Sequence, residues 1–133
     1  MSVTVEKKIL LVDDYRHSRE GLRTWLLAGG HRVETAADSW QAIQKMKDGL
    51  FEVAIIDLDL PPVHGVAVSG WDLVRIFRAF NPAVCIIVVG SEGGSEARAQ
   101  AARLKVSEFL EKPVTLATLK AIVRTLQNEG SIR

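Results

Sequence analysis

Two adjacent carboxylates, Asp13 and Asp14, follow the apolar run Ile9–Val12. Two more, Asp57 and Asp59, follow the run Val53–Ile56, and Lys112 stands just after Phe109-Leu110 and just before Pro113. Neighbouring carboxylates repel and raise each other's pKa unless a cation intervenes. A hard divalent cation with oxygen ligands, Mg2+ above all, resolves that conflict. A lysine beside them adds a compact charge suited to a phosphate oxygen. Together these groups fit phosphoryl transfer to a carboxylate. Asp57 would attack in line, Mg2+ would neutralise the phosphoryl oxygens, and Lys112 would hold one of them. Each piece alone has a plainer reading: Asp-Asp as a turn or helix cap, Asp57 as a turn residue, Lys-Pro as nothing in particular. The chemistry therefore needs a fold that brings all of them to one place.

The apolar patterning supplies such a fold. Ile9–Val12, Val53–Ile56 and Val84–Val89 are short runs of Ile, Val and Leu, as in strands buried on both faces of a parallel sheet. Arg32–Thr35 and Glu108–Leu110 read as two weaker strands. Helical patterns lie between them. Leu22, Trp25 and Leu26 mark the first, stopped by Gly29-Gly30. Asp38 caps the second, with Gln41 three residues on and Ile43 and Met46 inward. Ser69 caps the third, which carries Leu73, Ile76 and Phe77 and ends before Asn81-Pro82. Ser95 caps a fourth, Glu96 to Leu104, whose mostly alanine face predicts the weakest packing. Thr115 caps the fifth, with Leu116, Leu119, Ile122, Val123 and Leu126 at 3.6-residue spacing and Gly130 after the polar tail. Trp25 and Trp40 read as packing residues. Alternating strands and helices imply an α/β doubly wound sheet with right-handed crossovers. Its ligand site lies beyond the carboxyl ends of the strands. Asp13, Asp14, Asp57, Asp59, Gly90, Ser91, Glu92 and Lys112 all fall there.

Composition narrows the classes. The chain has 133 residues, 47% hydrophobic and 25% charged, the profile of one soluble globular domain. Seventeen Lys and Arg against sixteen Asp and Glu leave a net charge of +1, without the basic excess of a phosphate-backbone binder. The lone Cys85 excludes an internal disulfide and reads as a buried, inert thiol in a cytoplasmic protein. No apolar run approaches the ~18 residues of a membrane span.

The strand-end motifs carry a resemblance. Ile9-Leu10-Leu11-Val12-Asp13-Asp14, Ile55-Ile56-Asp57-Leu58-Asp59-Leu60-Pro61, Ser69-Gly70-Trp71-Asp72-Leu73 and Phe109-Leu110-Glu111-Lys112-Pro113 resemble the receiver domain of bacterial two-component response regulators. The likeness runs from about residue 7 to 127 of a single domain spanning 1–133. It implies a flavodoxin-like sheet of five parallel strands, order 2-1-3-4-5, with five helices. It also implies Asp57 as phosphoacceptor, and Asp13 and Asp14 in the Mg2+ site with Asp14 the more direct ligand. The backbone carbonyl of Asp59 would be a further ligand, Lys112 the phosphate-binding lysine and Phe109 the aromatic switch. The Lys112–Pro113 peptide is commonly cis in that family. Asp59 and Glu92 take positions that tune the lifetime of the phosphoryl group.

Three positions depart from the family pattern. Counting back from Lys112, Gly90 falls where a Thr or Ser hydroxyl usually binds the phosphoryl oxygen. Either Ser91 substitutes for it, eased by Gly93 and Gly94, or that coupling is absent. About four or five residues within 62–68 look inserted before Ser69, as a flap, a partner contact or a bulge. His64 there reads as a loop residue, and Trp71 is placed to cover the insert. Lys105 replaces a usual glycine before the fifth strand, so that turn must differ or tolerate strain.

The sequence therefore predicts a phosphorylatable receiver that takes its phosphoryl group from a histidine kinase or phosphotransfer protein and signals by changing shape. It would be a switch more than an enzyme, acting on an output partner the sequence does not name. A homodimer through the face of helix four, strand five and helix five is a further expectation. Nucleic acid is not an expected partner of this chain, since no sequence remains for a helix-turn-helix after Leu126, and with its short apolar runs neither is a membrane. The rival readings are a pseudo-receiver regulated without phosphate and, more remotely, a haloacid-dehalogenase-like phosphatase built on Asp57-Leu58-Asp59.

Overall fold

Five short segments form the sheet of a computed structural model that describes residues 6–63 and 65–132, with side chains as far as residue 125. In order along the chain they are β1 (Lys8–Val12), β2 (Arg32–Ala36), β3 (Val53–Asp57), β4 (Cys85–Gly90) and β5 (Glu108–Glu111). The intervening helices are α1 (Arg16–Ala28), α2 (Ser39–Asp48), α3 (Gly70–Phe80), α4 (Ser95–Arg103) and α5 (Leu116–Ile132). All four strand pairs are parallel, and the spatial order is β2-β1-β3-β4-β5. The expected architecture and strand order are therefore observed.

The pleat divides the core into two layers, since successive strand side chains face opposite ways. Leu10, Val12, Ala54, Ile56, Ile86 and Val88 pack with Met46 of α2 and Leu73 and Phe77 of α3. Ile9, Leu11, Val53, Ile55 and Ile87 pack with Leu22 and Leu26 of α1 and Val123 of α5. This two-sided burial is why the central strands read as unbroken apolar runs rather than alternating ones.

Most helix signals locate real ends. Asp38 accepts from the Gln41 N–H at 2.8 Å, and the Gln41 side chain accepts from the Ala37 N–H. Ser69 and Asp72 form a reciprocal capping box. Thr115 Oγ1 accepts from the Thr118 N–H. Gly70 is set by close approach: a Cβ there would lie 2.4 Å from the Leu58 Cα. Only glycine lets α3 start against the backbone that follows Asp57.

Several expectations need correction. Ser95 is the first residue of α4 and not its cap. Gly94, at φ 105, takes the N-cap position with no side-chain bond. Trp40 is 55% exposed and packs into neither core layer. Cys85 is only half-buried, with its Sγ 3.1 Å from Ser107 Oγ. Lys105 keeps the glycine-like turn by adopting φ 56, a strained conformation for a side-chain-bearing residue. α4 is weakly packed as expected, with Ala101 its one buried residue. In the 58–69 connection, Val63 and Val66 pair as an antiparallel bridge around Gly65 at φ 72. His64, Leu126 and Gly130 carried sequence readings but lie outside the residues whose side chains are described.

Candidate functional site

Asp57 ends β3 and is 8% exposed, a charged side chain in a sheet otherwise lined with Ile and Val. Burial raises its pKa above the usual carboxylate value. The Asp59 N–H and Lys112 oppose that rise, while the nearby Asp13 adds to it. The Asp59 N–H donates to Asp57 Oδ1 at 2.9 Å. Lys112 Nζ donates to both Asp57 oxygens, at 3.0 and 3.1 Å. Burial lowers the Lys112 pKa, but Asp57 and Asp59 outweigh it and hold the ammonium above its ordinary value. The backbone aims this lysine: the Lys112 N–H donates to the Gly90 carbonyl at 2.8 Å, and the following Pro113 peptide is cis.

Oxygens of Asp13, Asp14 and Asp57 lie within 4.8 Å of one another. β1 and β3 are adjacent, so the residues after Val12 and Ile56 emerge side by side. Asp13 is committed to the chain. Its Oδ1 accepts the Tyr15 N–H at 2.9 Å, its Oδ2 accepts the Ser18 hydroxyl, and its carbonyl accepts Arg19 Nη1 at 2.8 Å. It therefore doubles as the clamp on the start of α1. Asp14 is exposed. A cavity of about 630 Å3 opens beside these groups, with Asp13, Asp14, Asp57 and Lys112 in its wall and Leu11, Leu22, Ile55 and Leu119 among its apolar lining.

Asp59 lies on the far side of Lys112. Its Oδ2 is 3.1 Å from Nζ and accepts the Ser91 N–H at 2.9 Å. Burial disfavours its charge, yet Lys112 and Ser91 outweigh that and lower its pKa. Gly90 closes β4 with extended backbone, and a Cβ there would meet Leu58 Cδ1 at 3.0 Å. Glu92 is exposed in the next loop. Phe109 is half-buried on β5, its ring 6.1 Å from Trp71 and tilted only 7° from it.

The fold thus gathers Asp13, Asp14, Asp57, Asp59 and Lys112 as expected, with Gly90 and Ser91 on the same rim. Sequence reasoning missed the contacts of Ser18, Tyr15 and Arg19 with Asp13, and the Trp71–Phe109 stack. The only available signal was the Asp13-to-Ser18 spacing at a helix start, a common capping pattern that singles out no site.

A parallel doubly wound sheet that brings three carboxylates, one of them the buried Asp57, and a lysine to its carboxyl edge has the architecture of a receiver module. Residues 9–124 match the response regulator receiver domain, and the chain belongs to that family. It is 32% identical over 124 residues to the transcriptional regulatory protein CusR of Escherichia coli strain K12, a match covering 93% of this chain and 52% of CusR. It is 27% identical over 124 residues to the two-component response regulator PhoP of Pseudomonas aeruginosa, covering 93% of this chain and 53% of PhoP. The chain spans about half the length of these relatives. Among solved structures it is similar to a response regulator receiver protein from Pseudomonas putida, with 31% identity, TM-score 0.77 and coverage of 92% and 99% of the two chains. A CheY-like receiver from Methanospirillum hungatei JF-1 shares the fold at TM-score 0.81 and 23% identity, covering 94% of this chain and 96% of that one. Receiver domains of response regulators are signalling switches. Among the described residues, no helix is long and apolar enough to cross a membrane.

Proposed function

We propose that this receiver is phosphorylated on Asp57 by a histidine kinase or phosphotransfer protein and signals by a change of conformation. One observation carries the reading: Asp57 is buried at a strand end, held by Lys112 on one side and facing Asp13 and Asp14 on the other. Three converging carboxylates make a donor set of hard oxygens, which fits Mg2+. Asp13, Asp14 and Asp57 would hold it, with the Asp59 carbonyl, and when bound it would neutralise charge on the phosphoryl oxygens. An Asp57 oxygen attacks phosphorus, the phosphorus–nitrogen bond of a phosphohistidine breaks, and the departing imidazole takes a proton from water. Lys112 holds a phosphoryl oxygen, with a charge-assisted bond already formed to the acceptor. The same reading makes 62–68 an insertion in an otherwise ordinary receiver, within which Val63 and Val66 pair. It places the protein in the cytoplasm and leaves the α4–β5–α5 face for a homodimer or output partner.

Intact mass after incubation with acetyl phosphate and Mg2+ tests the assignment. The parent gains one phosphoryl group, and neither Asp57→Asn nor the parent without divalent metal gains any. Labelling that survives Asp57→Asn would overturn it. A second reading, a pseudo-receiver regulated without phosphate, draws on Gly90 with Leu58 packed against it. Under that reading the parent gains no mass with the metal present.

A further inference from the structure

The Asp59 side chain has a role that its backbone carbonyl does not explain. Its Oδ2 accepts the Ser91 N–H at 2.9 Å and lies 3.1 Å from the Lys112 Nζ that also serves both Asp57 oxygens. One ammonium is thus shared by two carboxylates, and one of these also ties down the residue after β4.

We propose that the Asp59 carboxylate is an internal counter-anion, which holds Lys112 and the 91–94 loop in the unphosphorylated chain and is displaced when an anionic group occupies Asp57. The proposal rests on the reading of Asp57 as acceptor. An ammonium has three protons, and here Asp57 and Asp59 already engage it. A phosphoryl group brings three strong acceptor oxygens and nearly two negative charges to the same spot. The like-charged carboxylate beside it is then repelled while its lysine is drawn away. Burial decides which carboxylate yields. The Asp57 side chain is 10% exposed and cannot reach water without dismantling the end of β3, whereas the Asp59 side chain is 36% exposed and can turn outward.

Displacement has a consequence for α4. Releasing Asp59 frees the Ser91 N–H, and the loop beyond it leads into a helix with one buried residue and no side-chain cap. In a chain with no hydroxyl at position 90, the signal to α4 is therefore the breaking of an existing tie. It needs no side chain to pull the loop inward.

The test uses the whole chain, beryllofluoride as phosphoryl mimic at saturating Mg2+, and the variants Asp59→Asn and Asp59→Ala. In the parent without mimic, the Ser91 amide proton carries a hydrogen-bonded NMR shift that is lost in Asp59→Ala. Asp59→Asn binds beryllofluoride on the order of tenfold more tightly than the parent, because one like charge is gone from a half-exposed site. A Ser91 shift unchanged in Asp59→Ala overturns the tie. Parent binding that Asp59→Asn fails to tighten overturns the displacement while leaving the acceptor reading intact. If neither chain binds the mimic, the acceptor reading fails and the displacement step with it, and the Ser91 shift, which needs no mimic, still decides the tie.

Discussion

At Gly90 the backbone is that of an ordinary strand end, and the atom nearest an added Cβ is Leu58 Cδ1, at 3.0 Å. That neighbour is the far end of a flexible side chain, so a larger residue fits after a small shift of Leu58. Gly90→Thr is therefore expected to fold and to bring a hydroxyl to the rim beside Asp57. One hydrogen bond to a charged group contributes ~1.5–3 kcal/mol, or roughly 10–100-fold in a two-state equilibrium. The shifts of Phe109 and of residues 91–94 on adding beryllofluoride should grow in Gly90→Thr relative to the parent. Equal shifts in both chains would show that position 90 does not limit coupling. Asp13, Asp14, Asp57 and Lys112 were readable from sequence because carboxylates directly after apolar runs mark strand ends, and strand ends of a parallel sheet converge. The part played by Ser91 was not readable. The structure uses its amide, which every residue but proline has, so side-chain type gives no signal. The Asp59 tie depends on where two loops cross, and that distance is not written in either loop.

The elements themselves followed from periodicity and caps, except where a cap is made without a side chain. The Asp38, Ser69 and Thr115 caps were readable because each side chain reaches a neighbour three residues on. Ser95 read as the cap of α4 because serine so often caps, but the N-cap is Gly94, which has no side chain to announce it. Arg78 escaped notice for a different reason: its partners are 4–27 residues away in sequence. From α3 its guanidinium donates to the carbonyls of Leu104 and Lys105 at the end of α4 and of Pro82 and Val84 before β4. This clamp holds the carboxyl end of a helix whose own packing is slight, and it grips the strained Lys105 turn. Arg78→Ala leaves those carbonyls without their charged donor and should cost about 2–3 kcal/mol. Urea unfolding should show the midpoint falling with little change in slope, and amide exchange should accelerate first in α4. A loss below ~0.5 kcal/mol would mean that water replaces the guanidinium without penalty.

Across the whole molecule, the site crowds charge onto one end of the sheet, while the opposite end is closed by a neutral histidine. His31 is buried just before β2, and its Nδ1 accepts the Lys7 N–H at 3.0 Å. Its own N–H donates to the Leu26 carbonyl at 3.2 Å, so one residue joins the approach to β1, the end of α1 and the start of β2. Protonation would set a second N–H against the Lys7 donor. Burial chiefly lowers the His31 pKa below 6.5. Glu6 and Glu52 pull it upward and Lys7 pushes it down, without reversing the direction. Below the unfolded value the unfolded chain binds the proton more readily than the folded one, so stability is full above pH ~6.5 and declines as pH falls through it. His31→Asn keeps an acceptor for Lys7 but does not titrate. Between about pH 7.5 and about pH 5.5 the parent should therefore lose more unfolding free energy than His31→Asn. The difference should be on the order of 1 kcal/mol, the net worth of one backbone hydrogen bond. Parallel pH profiles for the two chains would show that the folded and unfolded states protonate position 31 alike, and would remove His31 as the source of acid sensitivity.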